Sequence, residues 1–287
     1  MYTCLISTLS STPVEESMPN KPKQWSAEYA SIFQDASVVA AYQYRPTYPP
    51  QLFSFLLSLI PATVSPRRVL DAGCGTGFVA HLLARLVEHI DAIDISDAMI
   101  QAAKLLPGGD HPAIDWITAP IETAPLHGPY ALITAAASLH WMDWERTLPR
   151  FAAHLAPDCV LAIIEDQALP NAWDRAIGPI LRQYSMNTEY TPYSMMTVVH
   201  ELEQRHLFRL RGEHETASVV FRQSVDEYIE SFHARNGFSR DRMDSQQATA
   251  CDTALRAAIE PYCSDQLVEQ HIRARILWGT PLSGRQV

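Results

Sequence analysis

The sequence predicts a doubly wound α/β fold whose sheet is mostly parallel, and three observations support this class. Five short apolar strands alternate with helices between Val69 and Glu165, as in βαβ units with right-handed crossovers. A glycine-rich turn joins the first strand to the first helix, at the sheet edge where such folds bind ligands. The 287 residues, of which 47% are hydrophobic, can bury a substantial core.

The segments before the first strand predict a tail and a helical lid. Residues 1–22 are rich in serine, threonine and proline and show no sustained period, which is typical of a mobile tail. Aromatic residues then recur every fourth position at Trp25, Tyr29 and Phe33, which predicts a helix. Together with an apolar helix over Gln51–Leu59, this segment predicts a helical lid that consists of residues 23–60.

The first strand and its turn predict a nucleoside site. The run from Val69 to Gly77 reads VLDAGCGTG, and glycines allow both unusual backbone angles and close approach of a ligand. A dinucleotide-binding turn requires a third glycine at the position that Phe78 occupies. The spacing therefore disfavours a nicotinamide oxidoreductase, while an ordinary glycine-rich turn remains an alternative.

The second strand supplies an acid at the expected place. It covers Ile90–Ile95 and carries Asp94, 17 residues after Gly77. A carboxylate at that strand end can accept hydrogen bonds from both ribose hydroxyls of a nucleoside. Ser96 then predicts a helix start, since serine is a favoured N-cap residue. A solvated strand-end acid is the alternative for Asp94.

The fourth strand, Tyr130–Ala135, leads into Leu139-His140-Trp141. The carboxyl end of a central strand is where substrate and cofactor meet in open α/β sheets. Histidine titrates near working pH, so His140 is a candidate general base, and Trp141 is a candidate wall of the pocket. The alternative is a buried histidine that is simply hydrogen-bonded.

These motifs resemble those of a known family. The glycines at 73, 75 and 77 with Asp71 and Asp94 resemble the first motif of class I S-adenosylmethionine-dependent methyltransferases. The His140–Trp141 pair resembles the signature of the methyltransferase-11 and trans-aconitate methyltransferase type. The resemblance implies S-adenosylmethionine as cofactor, and a Rossmann-like sheet of seven strands that is mostly parallel and closes with an antiparallel C-terminal strand.

The resemblance also implies roles for individual residues. In the segment YQYRPTYP, Arg45 meets the cofactor carboxylate and Tyr48 contacts the acceptor; an arginine fork binds a carboxylate through two hydrogen bonds. Pro120 replaces the usual acid near the adenine, so only Glu122 remains there. The full set predicted to bind the cofactor is Arg45, Asp71, Gly73, Gly75, Gly77, Asp94, Ile95, Met99, Ile121, Glu122 and Ala135.

The chain after Asp166 is less regular. It predicts a helix over Asn171–Met186, strands over 207–211 and 218–222, a helix start at Ser224, a helix over 244–258 and a last strand over 271–278. We assign residues 61–168 to the cofactor-binding core and 169–287 to an insert that covers the acceptor and completes the sheet. His233 and Arg235 are candidates for binding an anionic or oxygen-rich acceptor, although ordinary surface charges would explain them equally well.

Composition limits the partners. A net charge of −10 opposes binding to nucleic acid. The five cysteines show no pair at metal spacing, so we expect reduced thiols and no metal. No apolar run approaches the roughly 20 residues that span a bilayer, and we expect a cytoplasmic protein without a membrane partner. The sequence leaves open whether the protein forms a homodimer.

The prediction from sequence is a methyltransferase that acts on a small molecule by in-line displacement. O-methylation of a carboxylate or a hydroxyl is favoured, and a carboxylate acceptor requires no base. One alternative is a protein that binds S-adenosylmethionine without transferring its methyl group. Another is a methyltransferase-like enzyme that catalyses a different reaction such as a cyclisation.

Overall fold

A computed structural model describes residues 21–191 and 193–284, so nearly all of the predicted tail lies outside the described residues. The chain divides into two compact units. The first unit comprises the residues up to 47 together with 167–192 and 218–273. The second comprises residues 48–166 and 193–217 and those from 274 onward.

The strands are β1 Arg68–Ala72, β2 His89–Asp94, β3 Ile114–Thr118, β4 Tyr130–Ala136, β5 Leu155–Ala168, β6 Phe208–Glu215, β7 Val219–Ser224 and β8 Leu267–Pro281. The α-helices are α1 Ala27–Ala30, α2 Ala36–Ala41, α3 Gln51–Ser58, α4 Phe78–Leu83, α5 Asp97–Leu105, α6 Trp144–His154, α7 Asp174–Tyr184, α8 Met195–Gln204, α9 Val225–His233 and α10 Ser245–Ile259. Short 3₁₀ helices cover Lys23–Trp25, Ser31–Gln34, Tyr42–Tyr44, Leu139–Trp141 and Glu260–Tyr262. None of the helices among the described residues is both long and apolar enough to span a membrane.

The sheet confirms the predicted fold class. Its strand order is β3-β2-β1-β4-β5-β8-β6, and the pairs β1/β2, β1/β4, β2/β3 and β4/β5 are parallel. The C-terminal strand β8 is antiparallel to β6 and β7, with residues 267–272 pairing β7 and residues 275–281 pairing β6. The described sheet has eight strands rather than the predicted seven, because β8 is long enough to hold two partners in succession.

The core of the second unit lies around β1 and β4. Val69 pairs with Leu132 and Leu70 with Ile133, and all four side chains are buried. Strands covered on both faces are apolar throughout rather than alternating, which explains the continuous apolar runs in the sequence. The edge formed by the carboxyl ends of β1, β2 and β4 is thereby fixed, and the predicted cofactor residues Asp71, Asp94 and Ala135 lie along it.

The first unit has its own core, formed by α7, α9 and α10 around Trp173, Tyr228 and Phe232. Ser224 caps α9 as predicted, in a capping box with Glu227.

The predicted lid helix over the N-terminal segment is not continuous. The backbone is extended at Asp35 (ψ 133°), between a 3₁₀ turn and α2. Arg242 binds the Asp35 carboxylate at 2.6 Å, and the Ser239 hydroxyl donates to it at 2.6 Å. These partners more than 200 residues away hold the break in place.

Candidate functional site

The glycine turn after β1 is tightly fixed. Gly73, Gly75 and Gly77 all take left-handed φ angles, of 69°, 55° and 81°, which favour glycine. The backbone N–H groups of Gly73 and Cys74 donate to the Ile93 carbonyl at 2.8 and 3.0 Å. The turn is therefore held against the end of β2 before any ligand binds.

Two of these glycines are also required by protein packing. A Cβ on Gly73 would lie 2.5 Å from the Ser138 Cβ, and one on Gly77 would lie 2.5 Å from Cη2 of Trp116. Both separations are far below van der Waals contact. From the sequence we expected a ligand to fill the space that the absent glycine side chains leave. At these two positions, neighbouring residues of the chain fill that space instead.

Asp94 lies at the carboxyl end of β2, as predicted, and its side chain connects β2 to the glycine turn and to the start of α5. One carboxylate oxygen accepts the Gly75 N–H at 2.8 Å, and the other accepts the Ser96 N–H at 2.8 Å. Burial raises the pKa of this carboxyl above its ordinary value, against the effect of these hydrogen bonds. A carboxylate offers about four acceptor positions, so both oxygens can still accept hydroxyl groups.

The neighbours of Asp94 differ in exposure. Ile95 is 57% exposed, which leaves an apolar surface beside the acid. Ser96 caps α5 as predicted, accepting the Met99 N–H at 3.2 Å. Met99 itself is 1% exposed and Ala135 is 0% exposed. These two predicted cofactor contacts therefore pack beneath the site and present almost no side-chain surface to a ligand.

Asp71 is a buried acid at the end of β1, with 1% of its surface exposed. The Thr134 hydroxyl donates to its carboxylate at 2.9 Å. Burial raises the pKa of Asp71 to about 7, and the hydrogen bonds from Thr134 and from the Ala80 N–H oppose that rise. Asp71 thus braces β1 against β4 directly below the glycine turn.

The segment after β3 contains Ile121 and Glu122, which were predicted near the adenine. Ile121 is 7% exposed. The Glu122 carboxylate accepts the Asp143 N–H at 2.8 Å. Glu122 therefore links this segment to the start of α6, a contact that the sequence did not predict.

His140 lies in the 3₁₀ turn that follows β4, and its side chain is 4% exposed. Its ring lies between two aromatic neighbours, with centroid distances of 4.8 Å to Trp141 and 5.5 Å to Tyr193. The sequence offered no signal that pairs Tyr193 with His140, because the two are 53 positions apart in different segments. Tyr193 belongs to the segment expected to cover the acceptor, but it was not among the predicted site residues.

The remaining predicted residues lie elsewhere. Tyr48 packs partly buried against the core of the second unit. In the first unit, Arg45 donates to the Tyr42 hydroxyl at 3.0 Å and lies over its ring, and Arg235 lies over the Phe232 ring, 4.4 Å from its centroid.

His233 is fully buried in the first unit. One ring nitrogen lies 2.7 Å from the Phe238 carbonyl and the other 2.8 Å from the Asp252 carboxylate. Both ring nitrogens therefore have a hydrogen-bonding partner within the unit. The expectation that His233 contacts an acceptor is therefore not supported by the structure.

The second unit thus brings together Asp71, the glycine turn, Asp94 and the His140–Trp141 turn at one edge of a parallel sheet. Residues 69–158 match the family model of a methyltransferase domain. Residues 69–158 therefore form a methyltransferase domain, the class of domain that the motifs predicted.

Parts of the chain are similar to curated methyltransferases. It is 36% identical over 145 residues to a trans-aconitate 2-methyltransferase of Delftia acidovorans, covering 48% of this chain and 50% of the relative. It is 40% identical over 79 residues to a malonyl-[acyl-carrier protein] O-methyltransferase of Anoxybacillus flavithermus, covering 27% and 30%. The chain thus matches about half the length of these curated relatives, or less.

A solved structure shares the fold over most of the chain. It is described as a putative type II methyltransferase from Anaeromyxobacter dehalogenans and superimposes with a TM-score of 0.57 at 24% sequence identity. The match covers 83% of this chain and 98% of that one.

Proposed function

We propose that this protein transfers the methyl group of S-adenosylmethionine to a small-molecule acceptor, with O-methylation of a carboxylate or a hydroxyl favoured. One arrangement carries the proposal. Asp94 binds the glycine turn at the end of β1, and the His140–Trp141 turn is hydrogen-bonded to the last residue of that same strand through Ser138. The names of two relatives, which give trans-aconitate and malonyl-acyl-carrier protein as acceptors, support a carboxylate.

The residues at the edge fit this cofactor. The Asp94 carboxylate keeps acceptor positions for the two ribose hydroxyls, and the exposed Ile95 offers an apolar surface that an adenine ring would cover. S-adenosylmethionine supplies a methyl group on a sulfonium, whose leaving group is a neutral thioether. Because that leaving group needs no proton, the protein contributes mainly proximity and orientation, which are worth up to roughly 7 to 11 kcal/mol in well-aligned systems.

The acceptor side depends on the His140–Trp141 turn. For a hydroxyl acceptor, an imidazole nitrogen of His140 takes the proton as the new carbon–oxygen bond forms and the carbon–sulfur bond breaks. For a carboxylate acceptor no proton is removed, and His140 acts only as part of the wall with Trp141 and Tyr193. The roles of Arg45, Tyr48 and Arg235 stay predictions from the family resemblance.

The proposal is tested with radiolabelled S-adenosylmethionine and a panel of carboxylic and hydroxylated acceptors that includes trans-aconitate. We expect a labelled methyl ester or ether, with one S-adenosylhomocysteine formed per product. Tight binding of the cofactor without any S-adenosylhomocysteine would contradict transfer, and would favour a binding protein or a different reaction such as a cyclisation.

The variant His140→Ala separates the two kinds of acceptor. With a hydroxyl acceptor we expect kcat to fall about 10²- to 10⁴-fold, the usual contribution of a general base. With a carboxylate acceptor kcat should change by less than about tenfold, since no proton moves. The control is His271→Ala, which removes a half-exposed imidazole from β8.

A further inference from the structure

A side chain next to His140 and Trp141 attaches their turn to the start of the glycine turn. The Ser138 hydroxyl donates to the carbonyl oxygen of Ala72, the last residue of β1, at 2.7 Å. Ser138 is 7% exposed, so little water competes for this bond. The residue that follows Ala72 is the first glycine of the turn. Ser138 therefore joins the predicted acceptor side of the site to the predicted cofactor side.

Ser138 and Gly73 are closely packed. A Cβ built on Gly73 would lie 2.5 Å from the Ser138 Cβ and 3.0 Å from its Oγ, so the Gly73 backbone lies directly against this side chain. The Gly73 backbone is itself held in place, because its N–H donates to the Ile93 carbonyl at 2.8 Å. A shift of the glycine turn or of the His140–Trp141 turn would therefore change the contact at Ser138 and displace the other turn.

The backbone before Ser138 is constrained as well. Ala137 takes a φ of +50°, a left-handed conformation that is costly without glycine and persists where neighbouring structure holds it. Its N–H donates to the Ile164 carbonyl on β5 at 2.9 Å. On the other side, the Trp144 indole N–H donates to the Leu139 carbonyl at 2.8 Å. Ser138 supplies the link to β1 between these two anchors.

We propose that Ser138 is a positioning residue for methyl transfer, which holds the His140–Trp141 turn at a fixed distance from the glycine turn. The inference rests on the proposed function. The Ser138 hydroxyl is used by the Ala72 carbonyl, so it acts through His140 and Trp141 and not on the reacting atoms. Its loss leaves the anchors at Ala137 and Leu139 in place but removes the hydrogen bond that sets the distance of the turn from the end of β1. Misplacement of a reacting group by about 1 Å can lower a rate about a hundredfold.

The test compares Ser138→Ala with Ser231→Ala. Ser231 is also buried, and its hydroxyl also donates to a backbone carbonyl, that of Tyr228 at 2.6 Å, but it lies in the first unit, within α9. Ser138→Cys keeps a side chain of similar shape with a weaker donor, and should give an intermediate effect. The readouts are kcat, KM for S-adenosylmethionine, the melting temperature, and the ¹⁹F resonance of Trp141 in protein labelled with 5-fluorotryptophan.

The chain contains six tryptophans, and the Trp141→Phe variant assigns the resonance. We expect Ser138→Ala to shift or broaden the Trp141 signal and to lower kcat about 10- to 100-fold. KM for the cofactor should change less than about threefold, because the glycine turn keeps its own hydrogen bonds. Ser231→Ala should leave the Trp141 signal and kcat unchanged at a similar melting temperature.

An unchanged Trp141 resonance in Ser138→Ala overturns the proposal, and so does a shifted resonance with unchanged kcat. If the native protein binds the cofactor but transfers no methyl group to any acceptor, the proposed function fails. The ¹⁹F comparison is made without substrate and still decides whether Ser138 holds the turn, so the two failures are distinguishable.

Discussion

Ionisation of Asp71 should oppose folding. Burial raises the pKa of its carboxyl from 3.8 to about 7. Above pH 7 the carboxyl is ionised in both states, and the folded chain bears the cost of a buried charge. As the pH falls below 7, the folded chain takes up a proton that the unfolded chain does not bind until near pH 4. This carboxyl therefore lowers stability most above pH 7, and the penalty diminishes as the pH falls.

The size of the effect follows from the shift. A rise from 3.8 to about 7 is about three pKa units, and each unit corresponds to 1.36 kcal/mol. Asp71→Asn removes the ionisation while keeping the size of the side chain and an oxygen that can accept from Thr134. The variant should therefore be more stable than the native protein by about 4 kcal/mol at pH 8, and by only about 2 kcal/mol at pH 5.

The assay is urea unfolding of the protein without cofactor, followed by tryptophan fluorescence at several pH values between 5 and 8. The control is Asp110→Asn, which removes an exposed carboxyl from the loop after α5 and should not change the pH dependence. If Asp71→Asn and the native protein show parallel dependences of the free energy of unfolding on pH, the burial argument for Asp71 is refuted.

Three further predictions follow from single contacts. Gly77→Ala should destabilise the protein by about 1 to 3 kcal/mol in thermal unfolding, because the new methyl would meet Trp116 and the φ of +81° disfavours a side chain; equal stability would show that Trp116 moves freely. Asp94→Ala should weaken S-adenosylmethionine binding at least about tenfold in calorimetry, since charged hydrogen bonds are worth about 1.5 to 3 kcal/mol each; unchanged affinity would remove Asp94 from the site. Asp91→Ala should cost about 3 to 5 kcal/mol of unfolding free energy, because this fully buried acid accepts from Tyr130 and pairs with His89 at 2.8 Å; a cost below about 1 kcal/mol would show that the network is dispensable.

Local signals explain what could be predicted from sequence. The helix starts at Ser96 and Ser224 were correct because an N-cap depends on the three residues that follow it. The strand–turn–helix unit around the glycines was correct because apolar runs and glycine spacing are both local patterns. Asp94 fell at the end of β2 for the same reason, since one helix and one turn separate it from Gly77.

Features that depend on distant partners were missed. The break at Asp35 requires Arg242 and Ser239, and the eighth strand requires β8 to pair with both β6 and β7. His233 looked available in a segment rich in donors, yet Asp252 and Phe238 use both of its nitrogens. No pattern along the chain reports such pairings, because each joins residues that only the fold brings together.

The glycine turn shows how far a motif describes a site. Its spacing predicted the class of domain, but Gly73 and Gly77 lie against Ser138 and Trp116, which belong to segments outside the motif. At Gly73 the motif therefore also constrains the predicted acceptor side, since a larger residue there would displace Ser138. Tyr193 is different, because it belongs to a segment outside the motif and its ring lies 5.5 Å from that of His140. Under the proposed function, we therefore expect substitutions at Tyr193 to alter acceptor preference more readily than substitutions at the glycines, which are restricted by packing.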